Sequence, residues 1–169
     1  MSFKKILVDE SRVKQHICKD KKGPIAYFMH REYRVNDNWS LLYAQQKSKE
    51  LQQPVIVFVC FDDAWYPKTI RHYDWIVKGV QEVEKELKKL SIPLYLFLGN
   101  PEEKIKSYID KYNISVVIFD FNPLHYYQKI LKGIVEYSEC SVYEVDSHNI
   151  IPCWIASQKQ EYSARTIRS

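Results

Sequence analysis

Short runs of apolar, β-branched and aromatic residues alternate along the chain with longer, charged amphipathic stretches. The short runs predict strands at about 25–29, 55–61, 94–98, 115–120 and 142–146. Between them, helical spacing of apolar positions predicts four helices. The first is capped by Asn36 or Asp37, carries Trp39, Leu42 and Tyr43, and is stopped by Pro54. The second covers about 69–90, with Ile70, Tyr73, Ile76, Val77, Val80, Val83 and Leu87 on one face and lysines at its end. Pro101 and Pro123 open the third and fourth, because a first helical turn needs no internal N–H bond.

Strands joined in this way by helices predict an α/β fold. It is a doubly wound, Rossmann-like, five-stranded parallel sheet in the order 3-2-1-4-5, with helices on both faces. Ligands of such sheets bind beyond the strand carboxyl ends where the winding reverses. Here that point lies between the first and fourth strands, so residues 29–38 and 120–124 come under scrutiny, with the loop from Phe61 to Lys68 beside them.

Composition narrows the chemistry. The 169 residues fit one domain of ordinary size, and a net charge of +4 identifies no nucleic-acid surface. The longest apolar run is too short to cross a bilayer, and the first 15 residues lack a signal-peptide core, which predicts a cytoplasmic protein with no membrane partner. Four scattered cysteines without a C-x-x-C pair read as free thiols. Only four glycines are present, at 23, 79, 99 and 133, which excludes both glycine-rich phosphate motifs. No histidine lies at metal-ligand spacing from another His or Cys, so no metal site is expected, and no G-x-S-x-G elbow supports hydrolysis.

Asp62-Asp63 reads as loop rather than cation site, and Trp39 and Trp75 read as structural. The turn from His30 to Asn38 concentrates charge at the switch point. Two readings of it stand side by side. Arg31 and Arg34 pair with Asp37 and Asp120 to brace the fold, or their guanidinium planes stack on and hydrogen-bond an aromatic ligand.

The segment GPIAYFMHREYRVNDNWSLLYAQ, residues 23–45, resembles the opening signature of DNA photolyases and cryptochromes. Its Arg-Val-x-Asp-Asn-Trp and Leu-Leu-Tyr-Ala-Gln are similar to the class II cyclobutane pyrimidine dimer photolyases. Residues 71–84, 120–124, 145–157 and 161–168 resemble further stretches of that family, in the same order.

The resemblance implies an N-terminal extension over 1–22, an antenna-type α/β domain over 23–157, and at 158–169 the start of a linker to an FAD-binding helical domain absent from this chain. That absent partner, in the same or a separate chain, would hold FAD and damaged DNA and carry out the light-driven lyase reaction, so this chain alone is expected to be inactive. A deazaflavin or pterin antenna chromophore would be lined by Met29, Arg31, Arg34, Phe61, Asp62, Asp120 and Phe121. The alternatives are a docking domain without chromophore and a stand-alone nucleotide binder. Surface otherwise covered by the flavin domain would favour self-association, with Tyr126, Tyr127, Trp154 and Ile155 as its expected contacts.

Overall fold

The computed structural model describes residues 8–62, 69–157, 159, 162–163 and 165. Five parallel strands form the sheet: β2 (Ile25–Phe28), β3 (Val55–Phe61), β4 (Leu94–Leu98), β5 (Val116–Asp120) and β6 (Ser141–Val145). Their order, β4-β3-β2-β5-β6, is the expected one. The sheet has a sixth member, however. β1 (Val13–Ile17) pairs antiparallel with β6, Val13 opposite Val145, so part of the expected N-terminal extension belongs to the sheet. A strand at a solvated edge buries few side chains, and Val-Lys-Gln-His-Ile shows too little apolar character to read as one.

Helices α1 (Trp39–Leu51) and α2 (Ile70–Lys89) cover one face. Their Leu41, Tyr43, Ala44, Val80, Val83 and Leu87 pack on Ile25, Tyr27, Met29, Val57 and Ile118. On the other face α3 (Pro101–Lys111) and α4 (His125–Tyr137) bring Ile105, Ile109, Ile130 and Ile134 onto Ala26, Phe28, Phe58, Val117 and Phe119. Alternate residues of one strand thus feed two separate cores. A short helix, α5 (Cys153–Ala156), follows β6.

Gly23 enters β2 at φ +156°, where a Cβ would lie 2.0 Å from the Asn113 carbonyl oxygen, so no larger residue fits there. The fourth helix begins two residues after Pro123, and Asn38 rather than Asn36 or Asp37 caps α1. Asp37 instead takes a left-handed conformation, φ 53°, ahead of that cap. The buried residues of α2, Val80, Val83 and Leu87, lie in its carboxyl-terminal half, while Ile70 is 88% and Trp75 78% exposed, so Trp75 is not a core residue. No helix among the described residues is long and apolar enough to cross a membrane. Trp65 and Asp63 lie outside the described residues, as does most of 161–168.

Candidate functional site

The switch point lies between β2 and β5, whose chains leave toward α1 on one face and α4 on the other. Asp120, the last residue of β5 and 2% exposed, organises everything around it. Its Oδ1 accepts the Tyr27 hydroxyl at 2.7 Å. Its Oδ2 accepts three successive backbone N–H groups, from His30 at 3.2 Å, Arg31 at 3.0 Å and Glu32 at 3.1 Å. A carboxylate so engaged fixes the turn after β2 and keeps little acceptor capacity for a ligand.

Glu32, 2% exposed, is the second buried carboxylate. It pairs with the Arg34 guanidinium and, at 3.0 Å, with His148 Nδ1. Arg34 also donates to the Asp37 carbonyl at 3.0 Å and the Ser147 carbonyl at 3.3 Å. Asn38 completes the turn: its Oδ1 accepts the Leu41 N–H, and its Nδ2 reaches the Tyr27 hydroxyl, the Glu32 carbonyl and the Arg34 carbonyl.

A third carboxylate repeats the device after β6. Asp146 accepts N–H groups of His148, Asn149 and Cys153 and the Asn149 side chain. Burial alone would raise its pKa, but these bonds outweigh burial and hold it below the ordinary range. Arg12 crosses from the first strand region to the carbonyls of Asp146, Asn149 and Ile150, its guanidinium 5.2 Å from the Trp39 ring.

The opposite face of the switch point is aromatic. His30, buried, lies 4.9 Å from the Phe28 ring and 4.4 Å from Tyr127, and its Nδ1 contacts the Phe28 carbonyl at 3.2 Å. Its Nε2 has no partner. Burial lowers the His30 pKa, against the pull of Asp120, so the ring stays neutral. Tyr126 donates to Asp62, and Cys60 Sγ reaches the Gly99 carbonyl at 3.2 Å. Burial, then the Asp62 charge, push the Cys60 thiol up to about 12, which makes it an unreactive core thiol.

Arg31 stands at the rim. Its Nη1 donates to the Phe121 carbonyl at 2.9 Å, and its guanidinium carbon is 5.9 Å from the Phe121 ring centre. Phe121 in turn meets the Trp154 ring edge-on, and Trp154 donates to the Ser11 carbonyl. A hollow of about 630 Å³ opens between the turn and α2, lined by Arg31, Tyr33, Trp75, Ile76, Lys78, Gly79 and Glu82. Burial raises the Tyr33 pKa, so its hydroxyl remains protonated.

The seven residues singled out from sequence therefore surround the strand ends without sharing one hollow. Met29 is fully buried in the core. Asp120 serves the turn, and Arg34 serves Glu32 and Ser147. Asp62 binds Tyr126, while Phe61 lines a different hollow of about 520 Å³ with Tyr73, Val77, Leu98 and Gly99. Arg31 alone of the seven lines the 630 Å³ hollow. The arginines do not bond the Asp120 or Asp37 carboxylates through their guanidinium groups; Asp120 takes the Arg31 backbone and Arg34 takes the Asp37 carbonyl. Among the described residues no cluster of His, Cys, Asp or Glu suits a metal ion.

The model of the DNA photolyase family matches residues 25–169, the stretch that contains this turn, most of both cores and the exit past β6. The chain belongs to the DNA photolyase family. It is 40% identical over 151 residues to a deoxyribodipyrimidine photo-lyase of Potorous tridactylus, covering 88% of this chain and 28% of that protein. It is 34% identical to the enzyme of the same name from Arabidopsis thaliana, over 86% of this chain and 30% of that one. The chain thus spans less than a third of the length of these relatives. A crystal structure of a bacterial class III photolyase from Agrobacterium tumefaciens superimposes with a TM-score of 0.63 at 18% identity, over 75% of this chain and 26% of that one, which establishes a shared fold.

Sequence reasoning placed Glu32 and Asn38 in the charged turn but gave them no role, and it assigned none to Arg12, Asp146 or Ser147. All but Arg12 lay within segments carrying the resemblance, but nothing local marks a polar residue as the hub of buried bonds. The Trp75 wall of the hollow was hidden because its position falls on a helix whose other half is core.

Proposed function

We propose that the chain is the N-terminal α/β part of a light-dependent deoxyribodipyrimidine photolyase of the class II branch. In this reading it gathers light while a helical, FAD-holding part, in the same or another chain, binds damaged DNA and performs the repair. The names of the relatives support the overall activity, and the Arg34–Glu32–Asn38 turn, built from the signature residues, supports the branch.

The observation that carries the antenna role is the 630 Å³ hollow at the strand ends. Its size lies in the range of small-molecule sites, and it combines the Trp75 and Tyr33 rings with polar anchors at Arg31, Lys78 and Glu82. It fits a planar deazaflavin or pterin, which when bound would supply near-ultraviolet and visible absorption. Trp75 offers a ring face and Arg31 a planar cation for stacking or hydrogen bonding. Tyr33 adds a hydroxyl donor, and Lys78 and Glu82 flank the mouth. FAD belongs, in this reading, to the helical part.

Reconstitution tests the reading. After incubation with a deazaflavin or a methenyl pterin and gel filtration, the protein retains chromophore absorbance. A protein that elutes colourless with both contradicts it.

A docking role is favoured by a separate observation. Ile150 is 92% exposed, with Ile151, Ile155 and Leu124 also exposed, an apolar surface beyond the strand ends suited to a helical partner. The isolated chain self-associates through exposed apolar surface, of which this patch is one part and the strand β4 residues Tyr95, Leu96 and Leu98 another. Of the contacts expected from sequence, Ile155 is exposed, Trp154 is tied to Ser11, and Tyr126 and Tyr127 are half-buried beside Asp62 and His30.

A further inference from the structure

The two edges of the sheet differ. On one side β1 ends the sheet with Lys14, a cross-strand His16–Glu144 pair at 3.1 Å and a bulge between Gln15 and Ile17. Charge and bulges of this kind keep an edge from pairing with another chain. On the other side β4 ends the sheet with Leu94-Tyr95-Leu96-Phe97-Leu98, which contains no charge and no proline.

This bare edge is exposed on both faces. Leu96 is 48% and Leu98 70% exposed toward α2, beside Val77. Toward α3, Tyr95 continues into an aromatic group, its ring centre 5.9 Å from Tyr108, with Phe97 4.3 Å from the same ring. Among the described residues the outward main chain of β4 also has no hydrogen-bond partner. The Pro93 carbonyl accepts the Val57 N–H, and the Gly99 N–H donates to the Phe61 carbonyl. In a parallel ladder this places the odd-numbered residues inward, so N–H and C=O of Leu94, Leu96 and Leu98 point away from β3.

We propose that β4 pairs with β4 of a second copy of this chain, antiparallel about a two-fold axis at Leu96. The side chains select this occupant, because Leu-Tyr-Leu-Phe-Leu is nearly the same read in either direction. About the axis Leu96 meets Leu96, Leu94 meets Leu98 and Tyr95 meets Phe97, leucines on the α2 face and aromatics on the α3 face. The outward groups of each copy meet in register, forming about six hydrogen bonds between chains. A two-fold interface must be self-complementary, and this edge is. The inference rests on the self-association proposed above and assigns it a surface.

Sedimentation of the full 169-residue chain over a wide concentration range tests it. The chain sediments as a dimer. Leu96→Lys sets like charges directly opposite and weakens dimerisation at least about tenfold; Leu96→Glu does the same. Mixing the two variants restores the dimer, which a merely misfolded variant would not do, and circular dichroism of each alone matches the parent. Ile150→Lys leaves the dimer intact. A monomer at every concentration overturns both the interface and the self-association, leaving the edge for a segment of a longer chain. A dimer that survives both Leu96 variants but dissociates with Ile150→Lys overturns the interface alone.

Discussion

Tyr27 in strand β2 and Asp120 at the end of its neighbour β5 are joined by a fully buried hydrogen bond of 2.7 Å. Burial, then the Asp120 charge, raise the Tyr27 pKa well above its ordinary value, so the phenol remains a donor throughout the accessible pH range. Removing the hydroxyl in Tyr27→Phe leaves the carboxylate with one acceptor site empty and Asn38 without one of its acceptors. Stability falls by about 2 kcal/mol in urea unfolding. An unchanged midpoint would show that the bond is structurally idle.

Asp120 itself is the more demanding position. In Asp120→Asn the amide oxygen still faces the three N–H groups, but without charge and with an NH₂ group opposing Tyr27. In Asp120→Ala all three N–H groups lose their acceptor. Thermal stability should therefore rank parent above Asn above Ala, because unsatisfied buried donors bear the full desolvation penalty. Equal loss in both variants would contradict this account of the turn.

The two arginines separate in the same experiment. Arg34→Ala strands the buried Glu32 carboxylate beside His148, a loss of about 2 kcal/mol that adding Glu32→Gln partly reverses. Arg31→Ala removes one bond to a carbonyl at the rim and lowers stability by less than about 1 kcal/mol. Comparable losses for both would mean that Arg31 also braces the fold.

Much of this was readable from sequence because the inner parallel strands β2, β3 and β5 are buried on both faces and so appear as nearly uninterrupted apolar runs. Val55 to Phe61 and Val116 to Asp120 are such strands, and the β-helix-β rhythm then dictates their order. β1 was not readable, since a solvated edge needs only occasional apolar side chains. The site was legible as a location but not as a set of contacts. Charge in the segment 30–38 marked the switch point, yet which carboxylate meets which donor depends on Asp120, Ser147 and His148 arriving from distant strands. Nor does sequence reveal that the first turns of α2 bury few side chains, which makes Trp75 a wall of the hollow rather than a core residue.

His30 makes the stability of the domain sensitive to acid. Burial depresses its pKa below the ordinary 6.5, so above that pH both folded and unfolded chains carry a neutral ring. As the pH falls below it, the unfolded chain takes up a proton that the folded chain refuses, and stability declines by up to about 1.4 kcal/mol per pH unit. His30→Phe keeps the stacking with Phe28 and Tyr127, removes the unpartnered Nε2, and flattens that decline. Parallel stability–pH curves for parent and variant would rule out His30 as the source.

The most direct measurement of the central claim is a titration of the domain with a deazaflavin or pterin, followed by quenching of tryptophan fluorescence and by the ligand's absorbance. The hollow formed by Arg31, Tyr33 and Trp75 predicts saturable binding that weakens about tenfold or more in Arg31→Ala and Trp75→Ala, one a half-buried rim position and the other exposed, variants whose circular dichroism matches the parent. Absence of saturable binding, or binding indifferent to both substitutions, would contradict an antenna site at this hollow.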